Sequence, residues 1–112
     1  MDVTQHVVST PQHVSIQLRK ECCILSPGVA EASHINGGEW YVNRVIIRPN
    51  FRKQGFGKQI VTKLLEEVTK QGCTKLVLTP GGYDIPYTQQ RDFYLKCGFR
   101  IVDKKNHVME YP

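Results

Sequence analysis

The sequence predicts a mixed α+β (α/β) fold, from the order of its hydrophobic periods and from the crossover that this order implies. Strand patterning fills the first fifty residues, a helical period begins near Phe56, and a strand, a second helix and two strands follow. Strands joined through a long helix pair in parallel when they share a sheet, so at least one parallel crossover is expected. The 112 residues read as a single domain, 1–112, with length for one core and none for a second folded unit.

Val14, Ile16 and Leu18 alternate with Ser15, Gln17 and Arg19, the period of a half-buried strand. A short apolar run follows from Cys22 to Leu25, closed by the turn residues Ser26-Pro27-Gly28. Val29 to Ile35 alternates weakly and ends at Asn36-Gly37-Gly38, a tight-turn signal that predicts a hairpin into a strand from Trp40 to Arg48. Pro49 ends that strand, because proline cannot donate to a central ladder. From Phe56 onward Ile60, Val61, Leu64, Leu65 and Val68 form one helical stripe. Lys63–Glu67 and Glu66–Lys70 are spaced as neighbours one turn apart on the other side. Gly72 is placed to end the helix in a left-handed cap. Lys75 to Thr79 reads as a buried strand broken by Pro80-Gly81-Gly82. A shorter helix is expected over Thr88 to Cys97, with Phe93, Tyr94 and Cys97 facing inward and Gly98 closing it. Phe99 to Lys104 and His107 to Tyr111 read as the last strands.

Composition excludes several classes. Hydrophobic residues at 40% and charged residues at 22% are ordinary globular usage and rule against disorder. No apolar run approaches the length of a membrane span, and the N-terminus lacks the basic-then-apolar pattern of a secretory signal, so a cytoplasmic protein without a membrane partner is expected. Cys22, Cys23, Cys73 and Cys97 show no CxxC spacing and read as free buried thiols. His6, His13, His34 and His107 are scattered, so no metal is expected. The net charge of +5 is spread along the chain and fits solubility, an anionic ligand or an acidic macromolecular partner, and charge alone does not choose among them. Aromatic residues do not interleave with a basic stripe, so nucleic acid is not an expected partner.

The chemistry concentrates between Val45 and Lys58. An apolar strand feeds a turn carrying Arg52, Lys53, Gly55, Gly57 and Lys58, and the turn opens an amphipathic helix. The first turn of a helix leaves backbone N–H groups without partners, and the helix dipole favours negative charge there. Glycines let an anion approach the backbone, and Arg52 can hold a phosphate in bidentate fashion. Two nucleotide motifs fail: Gln59 follows Gly57-Lys58 where a Walker loop needs Ser or Thr, and Ile60 stands where a Rossmann fingerprint needs its third glycine.

Arg52-Lys53-Gln54-Gly55-Phe56-Gly57 resembles the Arg/Gln-x-x-Gly-x-Gly/Ala signature of the GNAT N-acetyltransferases. Downstream, Asp92-Phe93-Tyr94-Leu95-Lys96-Cys97-Gly98-Phe99 is similar to the family's late Phe-Tyr-x-Lys-x-Gly-Phe segment. The resemblance covers roughly Trp40 to Tyr111. It implies the acyl-CoA N-acyltransferase fold: a mostly antiparallel central sheet, a parallel splayed pair and two main helices. It also implies acetyl-CoA as cosubstrate. Backbone groups of Val45 and Ile47, with Ile46 between them, would hold the pantetheine arm. Backbone N–H groups from Gln54 through Gly55, Phe56 and Gly57 to Lys58 would bind the pyrophosphate, flanked by Arg52 and Lys53. Tyr94 would protonate the leaving thiolate.

The sequence departs from the family at three places. The glutamate that serves many members as general base is replaced, by register, by Asn43 or Arg44. Glu39, His34 or an ordered water are the alternatives, and the sequence does not choose among them. Tyr87 stands where the family carries an asparagine, seven residues before the helical tyrosine. Only strands precede Trp40, so the two N-terminal helices that usually shape the acceptor pocket are missing or replaced. An open acceptor side suits a macromolecular acceptor, and exposed strand edges would allow a homodimer. The segment Thr79 to Tyr87 is expected at the mouth of the cleft, where Tyr83, Asp84 and Tyr87 could touch an acceptor. The resemblance implies transfer of acetyl from acetyl-CoA to an amine, a protein lysine above others, by direct attack in a ternary complex. The alternative is a catalytically weak acyl-CoA-binding module that docks on a partner protein.

Overall fold

The computed structural model describes residues 3–20, 26–81 and 84–112. The elements are β1 (Val3–Ser9), β2 (His13–Lys20), β3 (Gly28–Asn36), β4 (Glu39–Ile47), α1 (Phe56–Lys70), β5 (Lys75–Leu78), α2 (Tyr87–Lys96), β6 (Arg100–Asp103) and β7 (Val108–Tyr111). They build one seven-stranded sheet in the order β1-β2-β3-β4-β5-β7-β6. Every pairing is antiparallel except β4 with β5, which α1 connects as the expected crossover. Among the described residues no α-helix precedes α1. The run Cys22 to Leu25, with its two cysteines, and Tyr83 lie outside the described residues.

The core forms where the two periods meet. Val14, Ile16 and Leu18 of β2 are fully buried, and opposite them in register stand Ala32, Ala30 and Gly28. Large side chains on β2 facing small ones on β3 leave room for α1, which lays Ile60, Val61, Leu64 and Val68 across β2, β3 and β4. Glu67 sits on the inward half of this helix and gathers both neighbouring lysines, Lys63 at 3.3 Å and Lys70 at 3.1 Å. Lys70 therefore pairs with Glu67 and not with Glu66 as its spacing predicts. The buried carboxylate has the greater need of a counter-charge. The two lysines hold it below its ordinary pKa, with Lys70 the larger cause.

Both helices end as the glycines predict. Gly72 and Gly98 take left-handed φ values of 90° and 100°. In each case the following N–H reaches back five residues, Cys73 to Val68 and Phe99 to Tyr94.

The parallel pair is short. β5 pairs with β4 only at Glu39, Trp40 and Tyr41, and beyond Tyr41 the two strands diverge. On its other side β4 stays paired to β3, with a one-residue bulge: Ala32 faces Val42, Glu31 faces Arg44, and Asn43 is the extra residue. The end of β4, Val42 to Ile47, thus has one free backbone edge along the splay.

Candidate functional site

A cavity of about 520 Å³ lies beside that free edge. Val45, Ile46 and Ile47 form one wall and the turn from Phe51 to Lys58 the floor. Asp84, Ile85 and Pro86 close it with Gln89, Gln90, Phe93 and Tyr94 of α2. Of the residues singled out in the sequence, Val45, Ile46, Ile47, Arg52, Lys53, Gly55, Gly57, Lys58 and Tyr94 all line it.

The turn is shaped to present backbone N–H groups. A single 3₁₀ turn over Pro49–Phe51 leads from the strand. Lys53 (φ 61°) and Gly55 (φ 86°) then take left-handed conformations, an alternation that makes concave anion-binding nests. The first helical bond of α1 runs from Gln59 N–H to the Gly55 carbonyl. The N–H groups of Phe56, Gly57 and Lys58 therefore stand ahead of the ladder. Gly55 is the N-cap without a capping side chain, and no acidic residue occupies the first turn. Gly57 lies against α2: a Cβ there would sit 3.2 Å from the Phe93 ring and press on it. Gln54 and Phe56 flank the floor, Gln54 bonding the Asn50 carbonyl at 3.2 Å and Phe56 stacking near Phe51.

Arg52 is held on three bonds. Its Nε donates to the Ile47 carbonyl at 2.8 Å, and its two terminal nitrogens each reach an Asp84 carboxylate oxygen at 3.0 Å. That fork pulls the Asp84 carboxyl below its ordinary pKa. Gln90, only 9% exposed, braces the same segment from inside. Its Oε1 accepts from Gly81 N–H at 3.0 Å, and its Nε2 donates to the Ile85 carbonyl at 2.9 Å. Asp84 thus turns toward the turn's arginine. Tyr87, expected in the mouth loop, begins α2 and packs its ring on His107 at 4.4 Å.

Tyr94 is 7% exposed, packed edge-on between Phe93 and Phe99, and faces the cavity from α2. Asn43 lies at the bulge, exposed, its side-chain oxygen accepting from Ser33 Oγ at 2.7 Å. Arg44 pairs with Glu31 of β3. Glu39 and His34 stand at the joined end of the parallel pair. Glu39 is opposite Lys75, and His34 bonds the Gly37 carbonyl at 2.8 Å. Four residues of extended chain, ~13 Å, separate Glu39 from Asn43. Burial raises the pKa values of the Cys73 and Cys97 thiols, which keeps them protonated near neutrality.

Sequence reasoning missed Gln90, Ile85 and the Phe93 contact with Gly57. The Gly/Pro-rich stretch signalled a mouth loop, but nothing in the pattern marks a buried glutamine as its brace. No helix among the described residues is long and apolar enough to cross a membrane, and none of their His, Cys, Asp or Glu groups could hold a metal ion.

Comparison with known proteins agrees with this layout. Residues 27–99 match the model of the acetyltransferase (GNAT) family. The N-acetyltransferase YvbK of Bacillus subtilis strain 168 is 35% identical over 57 residues, 51% of this chain and 35% of that protein. Glucosamine 6-phosphate N-acetyltransferase of Trypanosoma brucei brucei is 29% identical over 65 residues, 58% of this chain and 40% of its own. The chain therefore spans between a third and two fifths of the length of these relatives. Among solved structures, a GNAT family acetyltransferase from Elizabethkingia anophelis with acetyl-CoA bound superimposes at TM-score 0.76 and 15% identity, covering 96% of each chain. The PaiA N-acetyltransferase of Thermoplasma acidophilum, in complex with coenzyme A, gives 0.72 and 18%, covering 88% of this chain and 60% of that one.

Proposed function

The chain belongs to the GNAT acetyltransferase family, and from that premise we propose that it binds acetyl-CoA along the free edge of β4 and transfers the acetyl group to a primary amine. The observation that carries this is the convergence of three features on one cavity: the splayed end of β4, the glycine turn, and Tyr94. The residues present fit the ligand. An elongated apolar arm with amide groups suits the unpaired edge at Val45 and Ile47. A pyrophosphate suits the N–H groups ahead of the α1 ladder, with Lys53 and Lys58 beside them.

Acetyl-CoA supplies an activated thioester. The protein's part is to hold that carbonyl beside β4 and to provide a proton to the departing sulfur, a role we assign to Tyr94, which lines the cavity. We favour direct attack in a ternary complex: the thiols of Cys73 and Cys97 are protonated and make poor nucleophiles. Among the described residues no α-helix precedes α1, so none of them covers the sheet face beside β4 with a helix from that stretch. That openness favours a lysine on a protein as acceptor over an enclosed small amine.

A second reading has its own observation. Asn43 is engaged with Ser33, Arg44 with Glu31, and Asp84, the carboxylate lining the cavity, with Arg52. A family member without a base beside the thioester could serve as an acyl-CoA-binding module that docks on a partner.

Calorimetric titration with acetyl-CoA and with CoA tests the common premise. Saturable binding that an Arg52→Ala, Gly55→Glu double variant loses is expected. Absence of binding by folded protein removes both readings. Release of CoA in the presence of an amine, reduced in Tyr94→Phe with binding intact, separates enzyme from module.

A further inference from the structure

The open face of the sheet carries a chain of polar side chains that ends at the bulge of β4. Glu31 Oε2 lies 3.3 Å from His13 Nε2. His13 Nδ1 lies 3.2 Å from Ser33 Oγ, and Ser33 Oγ donates to Asn43 Oδ1 at 2.7 Å. The other Glu31 oxygen is taken by Arg44. Four strand positions thus hold a Glu–His–Ser sequence of contacts, with Asn43 fixing its outer end. The register accounts for it: His13 faces Ser33 across β2 and β3, and Glu31 is two residues from Ser33 on the same face.

We propose that this chain takes up the proton of the attacking amine, with Ser33 Oγ meeting the amine and His13 receiving the proton through it. The proposal deepens the enzyme reading above and rests on it. Two features favour it. First, the bulge puts Asn43 two residues before Val45, where the cavity wall begins, and β4 has no neighbour on its β5 side beyond Tyr41. Asn43 thus lies two strand positions, ~7 Å, from the start of that wall, within reach of an amine extended across the open face. Second, the partners suit both states of His13. The neutral ring directs Nε2–H at Glu31 and its Nδ1 lone pair at the Ser33 hydroxyl, with the Asn43 amide turned so that its Nδ2–H meets Ser33 Oγ. The protonated ring donates from both nitrogens, to Glu31 and to Ser33 Oγ, and the Ser33 hydroxyl then turns to Asn43 as observed.

The step balances as follows. The amine nitrogen bonds to the acetyl carbon as the C–S bond breaks. The amine's proton passes to Ser33 Oγ while the Ser33 hydroxyl proton passes to His13 Nδ1. The thiolate takes its proton from the Tyr94 side, and His13 returns its own to solvent, its side chain being 40% exposed. The charged and titratable groups facing His13 are Glu31 and Arg44, with the Tyr41 phenol opposite Ser33. Arg44 holds in place the Glu31 carboxylate that His13 Nε2 faces.

The test has a structural and a kinetic arm. Nitrogen NMR of histidine-labelled protein should find the neutral His13 ring protonated at Nε2, and Glu31→Gln should redistribute that proton. A neutral ring protonated at Nδ1 overturns the relay. In the kinetic arm, CoA release from acetyl-CoA is followed with Nα-acetyl-lysine amide as the amine and with water alone, across a pH series. His13→Gln and Ser33→Ala should each lower the rate by about 10²-fold, the lower end for a positioned proton acceptor. His13→Gln should also change the pH profile, while acetyl-CoA titration stays unchanged in both variants. A His13→Gln enzyme with the wild-type rate and pH profile overturns the proposal. So does wild-type protein that binds acetyl-CoA but releases no CoA to either acceptor, which leaves the binding module standing. Failure of folded protein to bind acetyl-CoA overturns the parent reading and this one with it.

Discussion

Arg52 meets Asp84 with both terminal nitrogens, each at 3.0 Å, while its Nε–H is committed to the Ile47 carbonyl at 2.8 Å. One guanidinium thus ties together the end of β4, the glycine turn, and a segment 32 residues downstream. The two ends of this strap differ in value. Asp84 has a side chain 63% exposed, and solvent screens an exposed ion pair heavily. Asp84→Asn should therefore destabilise only slightly in chemical denaturation, and less than removal of Arg52. Arg52→Ala removes the carbonyl bond as well and should cost about 1–2 kcal/mol. Arg52→Lys should fall near the alanine variant, since a lysine cannot serve three acceptors arranged as a fork. Equal effects of Asp84→Asn and Arg52→Ala would mean that the bond to Ile47 carries no weight.

The same pair fixes a pH dependence. The Asp84 carboxyl is held below its ordinary value of 3.8, first by the hydrogen bonds from Arg52. A carboxyl whose folded pKa is depressed contributes stability above its unfolded value and loses it as pH falls through the folded value. The melting-temperature difference between wild type and Asp84→Asn should thus be constant around neutrality and shrink toward zero below 3.8. A difference that persists or grows in acid would assign it to packing.

Gly55 and Gly57 are adjacent in the motif but serve different ends. Gly55 has φ 86° with open space where a Cβ would go. Gly55→Ala should cost about 1–2 kcal/mol of stability through the left-handed backbone alone. Gly57 is helical, so Gly57→Ala gains up to about 1 kcal/mol of helix propensity against the push on Phe93. Its stability should stay near wild type, while acetyl-CoA binding weakens because the displaced ring belongs to the cavity wall. Calorimetric titration alongside thermal melts separates the two. Loss of binding without loss of stability belongs to Gly57, and the opposite pattern would reverse the assignment.

How much of this was legible varies with the range of the signal. β2, β4 and α1 announce themselves because burial on one face writes a period into the sequence, and Gly72 and Gly98 end their helices as their φ freedom requires. β1 went unread as a separate strand. It is an edge strand whose polar Thr4, Gln5 and His6 fall on both faces, so half-burial leaves little alternation. The turn at Arg52 to Gly57 was readable because anion binding demands glycine and cation at fixed offsets from a helix start. The open-face chain was not. Glu31, Ser33 and Asn43 meet through strand register and a bulge that no local pattern encodes, and His13 reads in sequence as one scattered histidine among four.

Gln90 gives the last prediction and the clearest case of a residue invisible to sequence. Its amide satisfies the Gly81 N–H and the Ile85 carbonyl at once, from a position 9% exposed on α2. Gln90→Leu keeps the bulk but leaves both backbone groups without their partner, at about 1–3 kcal/mol. Gln90→Glu, ionised, can still accept from Gly81 but cannot donate to Ile85, so it should fall between wild type and the leucine variant. Hydrogen exchange localises the effect. The Gly81 amide should lose protection in Gln90→Leu while the amides in the middle of α1 keep theirs, because α1 packs on β2, β3 and β4. If α1 loosens in step, the damage is global and the brace is ordinary core packing. If the Gly81 amide alone opens and acetyl-CoA binding weakens with it, the far wall of the cavity owes its shape to one glutamine.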